Sequence, residues 1–245
     1  MFERGVARGI HRLTVAHTNV YLVEHDDRVL IVDAGLPAFW DPLIAALAEI
    51  GRGPEDVDGI VLTHAHFDHV GIARRAREAW GVPVWVHAGD VRLAAHPYSY
   101  RHERNRLLIP LTHPASLRPL AAMTRAGALA VKGVRDAAVI MPTTPLPGSP
   151  VVVPTPGHTD GHIALHFPER DAVIVGDAIV TLDPYTGVAG PQIVSGAATA
   201  DSPLALRSLD ALIATGASTV LTGHGEPWRE GIAAAVTKAR AVGAH

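Results

Sequence analysis

Apolar residues along this chain follow two spacings, which divide it into predicted strands and helices. Short runs of β-branched and aliphatic residues between turn residues predict strands, and apolar residues three or four positions apart predict amphipathic helices. Near the N-terminus, three β-rich runs predict an antiparallel meander, at residues 10–15, 18–24 and 28–33. The run 41–50 has helical spacing, with Asp41 as the predicted N-cap and Pro42 at the first helical position.

Strand and helix patterns then alternate along most of the chain. Further strands are predicted at 59–62, 83–87, 151–153, 163–167, 171–176 and 218–222, and further helices at 72–80, 203–214 and 228–240. Such alternation is typical of an α/β fold. A chain of 245 residues falls within the size of one α/β domain, so we expect a single domain over 1–245.

The segment 91–150 interrupts this alternation. It contains eight prolines and one predicted helix, which follows Ser116 and runs through Lys132. We expect an inserted, mostly helical segment within the domain. Insertions beside a site often form lids or substrate walls, and a structural or dimerising role is the alternative.

Composition narrows the classes of function. The formal net charge is −3, and no run of Lys and Arg exceeds two residues, which disfavours a nucleic-acid partner. The chain has no cysteine, which excludes disulfides and a thiol nucleophile. Neither an apolar leader nor a run of about 18 apolar residues is found. We therefore expect a cytoplasmic protein with a small-molecule substrate and no membrane partner; a homodimer is left open.

Metal-binding side chains are concentrated directly after the strand predicted at 59–62. Four of them lie within six residues: His64, His66, Asp68 and His69. Imidazole nitrogen and carboxylate oxygen suit Zn²⁺, iron or manganese. The carboxyl ends of strands in open α/β sheets usually carry the site. A metal site is therefore predicted here, against the alternative of a histidine-rich surface loop.

Three more predicted ligands follow other strands. His158 is presented by a Pro- and Gly-rich turn, Asp177 follows the strand 171–176, and His224 follows the last strand. Asp33, at the end of the meander, is predicted to orient a neighbouring ligand by a hydrogen bond or, equally, to cap a turn. Three other histidines are predicted to be structural and not ligands: His87, His162 and His166.

Together these motifs closely resemble the metallo-β-lactamase fold superfamily. The resemblance lies in HAHFDH at 64–69, PGHTDGH at 156–162, the Gly-Asp pair ending at Asp177, and GHG around His224. It covers most of the chain outside 91–150. It implies an αββα sandwich, in which two mixed sheets pack face to face with helices outside. It also implies two metal sites: one held by His64, His66 and His158, one held by Asp68, His69 and His224, and both bridged by Asp177.

The ligand set resembles that of glyoxalase II-like and lactonase-like hydrolases. This implies two divalent ions, with Zn²⁺ expected first and iron or manganese as alternatives. A hydroxide between them would cleave an ester, thioester, lactone or lactam, with Asp68 orienting it or moving its proton. Lactonase relatives carry a tyrosine where this chain has Val180. Three other tyrosines are candidates for the substrate pocket: Tyr98, Tyr100 and Tyr185.

Other classes of function stay open at this point. An iron persulfide-dioxygenase-like enzyme would use only the first site, although relatives of that kind commonly have Gly-Cys where this chain has Gly161 and His162. A phosphodiesterase or nuclease shares the motif, but the acidic charge balance disfavours it. A non-catalytic binding protein is the least favoured, because all the implied ligands are present.

Overall fold

Two mixed β-sheets form the centre of the molecule. The computed structural model describes residues 1–105, 109–141 and 144–245. The first sheet has seven strands in sequential order: β1 (Phe2–Ala7), β2 (Ile10–Val15), β3 (Thr18–His25), β4 (Arg28–Val32), β5 (Val57–Val61), β6 (Val84–His87) and β7 (Ala138–Ile140). Strands β1 to β4 are antiparallel, and β4 to β7 are parallel. The predicted meander is therefore confirmed, and β1 extends it by a strand that was not predicted.

The second sheet contains four strands in the order β13, β10, β9, β8. They are β8 (Val151–Pro154), β9 (Ile163–Phe167), β10 (Ala172–Gly176) and β13 (Thr219–Thr222). A separate pair, β11 (Val180–Leu182) with β12 (Ala189–Gln192), occupies a region where no strand was predicted. The main strands lie where the alternation of apolar runs predicts them.

Eight helices complete the described part of the fold. They are α1 (Trp40–Glu49), α2 (Phe67–Val70), α3 (Ala73–Trp80), α4 (Val91–Ala95), α5 (Ile109–Thr112), α6 (Leu117–Arg125), α7 (Ser202–Ile213) and α8 (Ile232–Val242). In the parts of the chain that the structure describes, none of the helices is both long and apolar enough to cross a membrane.

Alternating side chains on the strands create three layers of core. On β3, Val23 packs between the two sheets with Leu165 of β9, whereas Leu22 packs beneath α1 with Leu43. The outer face of the second sheet packs against α7 and α8. Because neighbouring residues of a strand point to opposite faces, each sheet is covered on both sides. The architecture is thus the expected αββα sandwich.

Two helices begin at residues other than those predicted. Helix α1 begins at Trp40 with Phe39 as its N-cap, so Asp41 lies in the first turn. A 3₁₀ turn over Pro37–Phe39 leads straight into the helix, and Phe39 already has helical dihedral angles. The last helix begins at Ile232, later than predicted, because Trp228 is extended and forms a β-bridge to Val220.

The segment 91–150 differs from its prediction in two respects. Helix α6 ends at Arg125, before Lys132, and Gly127 follows with a φ of +93°. Strand β7 also continues the strand-helix alternation, since it pairs with β6 at the sheet edge. Side chains of the segment enter the core beneath the first sheet, among them Met123, Ala126, Val131 and Val134. Residues 106–108 and 142–143 of this predicted insertion lie outside the described residues.

Candidate metal centre

Four loops meet at one end of the sandwich, and each follows or precedes a strand. The first follows β5, the second joins β8 to β9, and the others follow β10 and β13. Strands β4 and β5 are parallel in the first sheet, and β10 and β13 are parallel in the second, so the carboxyl ends of each pair lie at one edge of its sheet. The loops, together with helix α2 that follows the first of them, carry all seven predicted ligands there, and each is buried: His64, His66, Asp68, His69, His158, Asp177 and His224.

Two groups of three side chains are arranged around Asp177. His64, His66 and His158 place one ligand atom each within 4.8 Å of one another, and so do Asp68, His69 and His224. Within the second group, Nε2 of His224 lies 3.3 Å from Oδ2 of Asp68. Both groups have the composition and the proximity of a three-residue metal site.

The Asp177 carboxylate lies between the groups. Its Oδ2 atom is 3.5 Å from Nε2 of His158 and 3.3 Å from Nε2 of His224. Its Oδ1 atom is 3.6 Å from Nε2 of His69. One carboxylate therefore reaches histidines of both groups. Gly223 makes this possible, since a Cβ atom there would lie 2.0 Å from Oδ1 of Asp177.

Unsatisfied polar atoms show that these residues fit metal ions. Among the described residues, the Nε2 atoms of His64, His66 and His158 and Oδ1 of Asp177 are buried without a hydrogen-bond partner. Leaving a buried polar atom unpaired costs about 1–3 kcal/mol, so such a cluster is rare without a functional reason. Metal coordination would satisfy all four atoms at once.

In four of the five predicted ligand histidines, the Nδ1 nitrogen has a hydrogen-bonding partner. The Nδ1 partners are Thr63 Oγ1 for His64, Asp33 Oδ2 for His69, Thr199 Oγ1 for His158 and the His17 carbonyl for His224. Such contacts fix ring orientation, and an acceptor on Nδ1 leaves the Nε2 lone pair for a metal. The Nε2 atoms consequently point toward the centre of the cluster.

Asp33 has the position expected of a residue that orients a ligand. Its Oδ2 atom lies 2.9 Å from Nδ1 of His69, and its Oδ1 accepts a 2.7 Å hydrogen bond from the Thr63 backbone N–H. Asp33 also has a positive φ of 63°, an uncommon conformation for a residue other than glycine. The conformation holds its carboxylate between the end of β5 and the second group.

Burial and neighbouring charges separate the pKa values of the clustered histidines. Burial lowers the pKa of His66 to about 4, so this ring is neutral at pH 7. Burial also disfavours a charge on His69, but Asp177, Asp33 and Asp68 outweigh it and raise its pKa to about 9. A metal that binds His69 would replace a proton there.

The three histidines predicted to be structural lie outside the two groups. Nδ1 of His87 accepts a hydrogen bond from the Gly89 backbone N–H, and His166 is only half-buried on β9. His162 lies closest to the centre, where its Nε2 accepts the backbone N–H of Asp177 at 3.1 Å. Its Nδ1 therefore carries the proton and donates to Thr155 Oγ1 at 2.8 Å.

Asp90 is an organising residue that was not predicted from the sequence. Its carboxylate accepts hydrogen bonds from the Ala65 backbone N–H, from the Gly161 backbone N–H and from Thr159 Oγ1, at 2.7–3.0 Å. The first donor belongs to the loop after β5 and the other two to the loop between β8 and β9. Asp90 therefore joins two ligand loops. A signal was present, because Asp90 follows glycine just after a strand, as Asp177 does.

A cavity of about 180 Å³ opens beside the first group. His66 and His158 line its inner end, and Leu93 and Tyr100 belong to its wall. Tyr98 is not among the lining residues, and its hydroxyl instead bonds to the backbone of Ala128 and Val131. Tyr185 also lies outside the cavity, with its hydroxyl 3.3 Å from that of Tyr100.

Known proteins resemble the chain in sequence and in fold. The sequence model of the metallo-beta-lactamase superfamily matches residues 13–224. The probable metallo-hydrolase YflN of Bacillus subtilis is 27% identical over 234 residues, which cover 90% of this chain and 85% of YflN. The metallo-beta-lactamase family protein TTHA1429 of Thermus thermophilus has a TM-score of 0.68 and 25% identity, covering 96% of this chain and 79% of that one.

A second solved structure, TTHA1623 in a di-iron-bound form, has a TM-score of 0.63 and 28% identity, covering 91% of this chain and 95% of that one. The superfamily match spans most of the chain and includes every residue of the two groups. The chain therefore belongs to the metallo-β-lactamase superfamily, and it is a metal-dependent hydrolase.

Proposed function

We propose that the protein binds two divalent metal ions and hydrolyses an ester, thioester, lactone or lactam. The observation that carries this proposal is the position of Asp177, whose carboxylate reaches His158 of the first group and His224 of the second. The first ion would be held by His64, His66 and His158, the second by Asp68, His69 and His224, and Asp177 would bridge them.

The bound metals and the side chains of the protein would supply different parts of the chemistry. When bound, two such ions lower the pKa of water toward neutrality and polarise the scissile carbonyl. Asp68 would hold the second metal and orient the attacking water or accept its proton. Burial raises the pKa of Asp68, but His69 and His224 outweigh it and lower the pKa below its usual value. The side chain is therefore a carboxylate at neutral pH, as both roles require.

Zinc is the metal we propose first. Nitrogen and carboxylate ligands without any thiolate suit zinc, and they suit iron and manganese too. The similarity to a protein solved in a di-iron-bound form supports testing iron alongside zinc. An oxidoreductase with one iron would need only the first group. The complete second group favours the hydrolase.

The beginning of the inserted segment would form the wall of the substrate pocket. Leu93 and Tyr100 lie in the part that lines the cavity, and the ring of Tyr100 is 4.4 Å from that of His66. The later part, which includes Met123 and Val134, packs into the core instead. Substrate contacts are therefore proposed for residues 91–101, and structural support for the rest.

Metal analysis combined with a substrate panel would test the proposal. Protein purified without added metal should contain two ions per chain, or take up two when titrated with zinc. It should then hydrolyse at least one of an ester, thioester, lactone and lactam. Because the chain has no cysteine, a thiol reagent can follow thioester cleavage without background from the protein. One tightly bound iron with no second ion at saturating zinc would contradict the proposal.

A further inference from the structure

The cavity beside the first metal group also contains two arginines. Arg92 lies on α4, two residues after Asp90, and Arg101 lies a few residues further along the same segment. Asp90 is bonded to both ligand loops, which fixes the start of α4 relative to His66 and His158. The two positive charges are therefore held on the wall that faces these histidines.

Neither arginine forms a strong ion pair. Arg92 makes no side-chain hydrogen bond or ion pair with any residue that the structure describes. Arg101 pairs with Asp160 at 3.2 Å, but the two side chains are 68% and 61% exposed. Exposed pairs of this kind contribute little, about 0–1 kcal/mol. Arg101 could therefore exchange Asp160 for a ligand at low cost.

The cavity wall also contains two carboxylates, Asp90 and Asp160, beside the two arginines. Asp90 is buried, and three hydrogen bonds occupy its oxygen atoms. Asp160 is exposed and pairs with Arg101, which leaves the Arg92 guanidinium without a hydrogen-bonding or ion-pair partner among the described residues. The cavity volume of about 180 Å³ is below the roughly 300–1,000 Å³ of a drug-sized ligand pocket. A small substrate with a compact anionic group suits both features.

We infer that the protein prefers small esters or thioesters that carry a carboxylate, which Arg92 and Arg101 bind beside the scissile bond. This inference rests on the proposed function and specifies its substrate. The planar guanidinium group binds carboxylates through paired charge-assisted hydrogen bonds. Because both arginines line the same cavity as His158, they would also orient the substrate toward the metals.

Matched thioesters would test the inference. One pair places the charge in the leaving group, as S-butyryl-3-mercaptopropionate and its neutral primary amide. The other pair places it in the acyl group, as the S-ethyl ester of monothioadipate and its terminal amide. The zinc-loaded protein should favour the carboxylate member of at least one pair in kcat/KM. In Arg92→Gln this preference should fall about tenfold, mainly through KM, with a further fall in the double variant with Arg101→Gln.

Arg207→Gln is the matched control, because Arg207 is exposed on α7 and is not a cavity residue. It should keep the wild-type preference. Equal kcat/KM values for carboxylate and amide in both pairs would overturn the inference and leave the proposed hydrolase standing. A preference that Arg92→Gln and the double variant both retain would also overturn it, because the metals alone would then attract the carboxylate.

A binding measurement distinguishes the two proposals and does not depend on substrate turnover. N-ethyl adipamic acid has an amide in place of the thioester and retains the carboxylate, and N-ethyl adipamide is its neutral counterpart. Calorimetry should show tighter binding of the acid to the wild type, and about tenfold weaker binding to Arg92→Gln. This result with no cleavage of any ester, thioester, lactone or lactam would contradict the proposed hydrolysis and support the anion site. Equal affinities of the acid for the two proteins would overturn the site.

Discussion

The backbone N–H of Asp177 donates a 3.1 Å hydrogen bond to Nε2 of His162. This bond fixes the backbone position of Asp177, whose carboxylate lies between the two metal groups. Burial lowers the pKa of His162 to about 3, so the ring stays neutral and can accept the bond at any pH near neutrality. His162 therefore supports Asp177 without being a ligand.

Replacing His162 by alanine should weaken metal binding without removing a site. The variant leaves the buried N–H of Asp177 and the hydroxyl of Thr155 unpaired, which costs about 1–3 kcal/mol of stability. Loss of such an orienting partner lowers metal affinity by about 10–100-fold. At saturating zinc the protein should still contain two ions. The control His166→Ala should match the wild type, and one ion in His162→Ala would show that His162 is a ligand.

Replacing Asp177 by asparagine should weaken both sites together. The amide keeps the volume of the side chain but removes the negative charge that both groups share. The expected loss of affinity exceeds the roughly 10–100-fold typical of partners outside the coordination sphere. Metal titration followed by elemental analysis would measure it. Full retention of one ion would mean that Asp177 serves only one group.

Replacing Asp33 by asparagine should affect the second site and spare the first. Asp33 orients His69, and its negative charge favours a cation on that ring, whether a proton or a metal ion. We expect affinity at the second site to fall about 10–100-fold. A two-step zinc titration by calorimetry would separate the sites. Asp27→Asn is the control, because the Asp27 side chain is 96% exposed and distant in sequence from every ligand.

Tyr98 and Tyr100 should respond differently to substitution. The hydroxyl of Tyr98 bonds to backbone atoms of Ala128 and Val131, so Tyr98→Phe should lower stability by about 1–3 kcal/mol and leave KM unchanged. Tyr100→Ala removes a ring of the cavity wall and should change KM for several substrates. Urea unfolding and steady-state kinetics would measure the two effects. Equal KM changes in both variants would contradict the assignment of the wall.

Stability should depend on pH through His245. Its hydrogen bond to Asp183 raises the pKa of His245 in the folded protein. The ion pair therefore stabilises the fold fully below the ordinary histidine pKa of about 6.5, and this contribution is lost as pH rises through the folded value. Urea unfolding should show a larger difference in the free energy of unfolding between the wild type and His245→Gln at pH 6 than at pH 8.5. A constant difference would contradict the ion pair.

The amino-acid sequence by itself determined the candidate ligands and the layer order. Metal-binding residues directly after apolar runs must lie at strand ends, and parallel strands bring these ends to one edge. For this reason the loops carrying Asp177 and His224 meet at the end of β10 and β13, and the packing of the two sheets brings them to the loop that carries His64. Alternation of apolar runs predicted an α/β fold, and the resemblance carried by the ligand motifs implied the αββα order of layers.

Only the tertiary structure decided which other residues surround the site. Asp90 joins two ligand loops through backbone N–H groups, and no sequence pattern identifies the partner of a backbone donor. Tyr98 and Tyr100 are two residues apart, yet only Tyr100 lines the cavity. The short strand β7 (Ala138–Ile140) is stabilised by its pairing with β6 and lacks a strong pattern of its own. These features depend on contacts between distant segments, which local propensity does not encode.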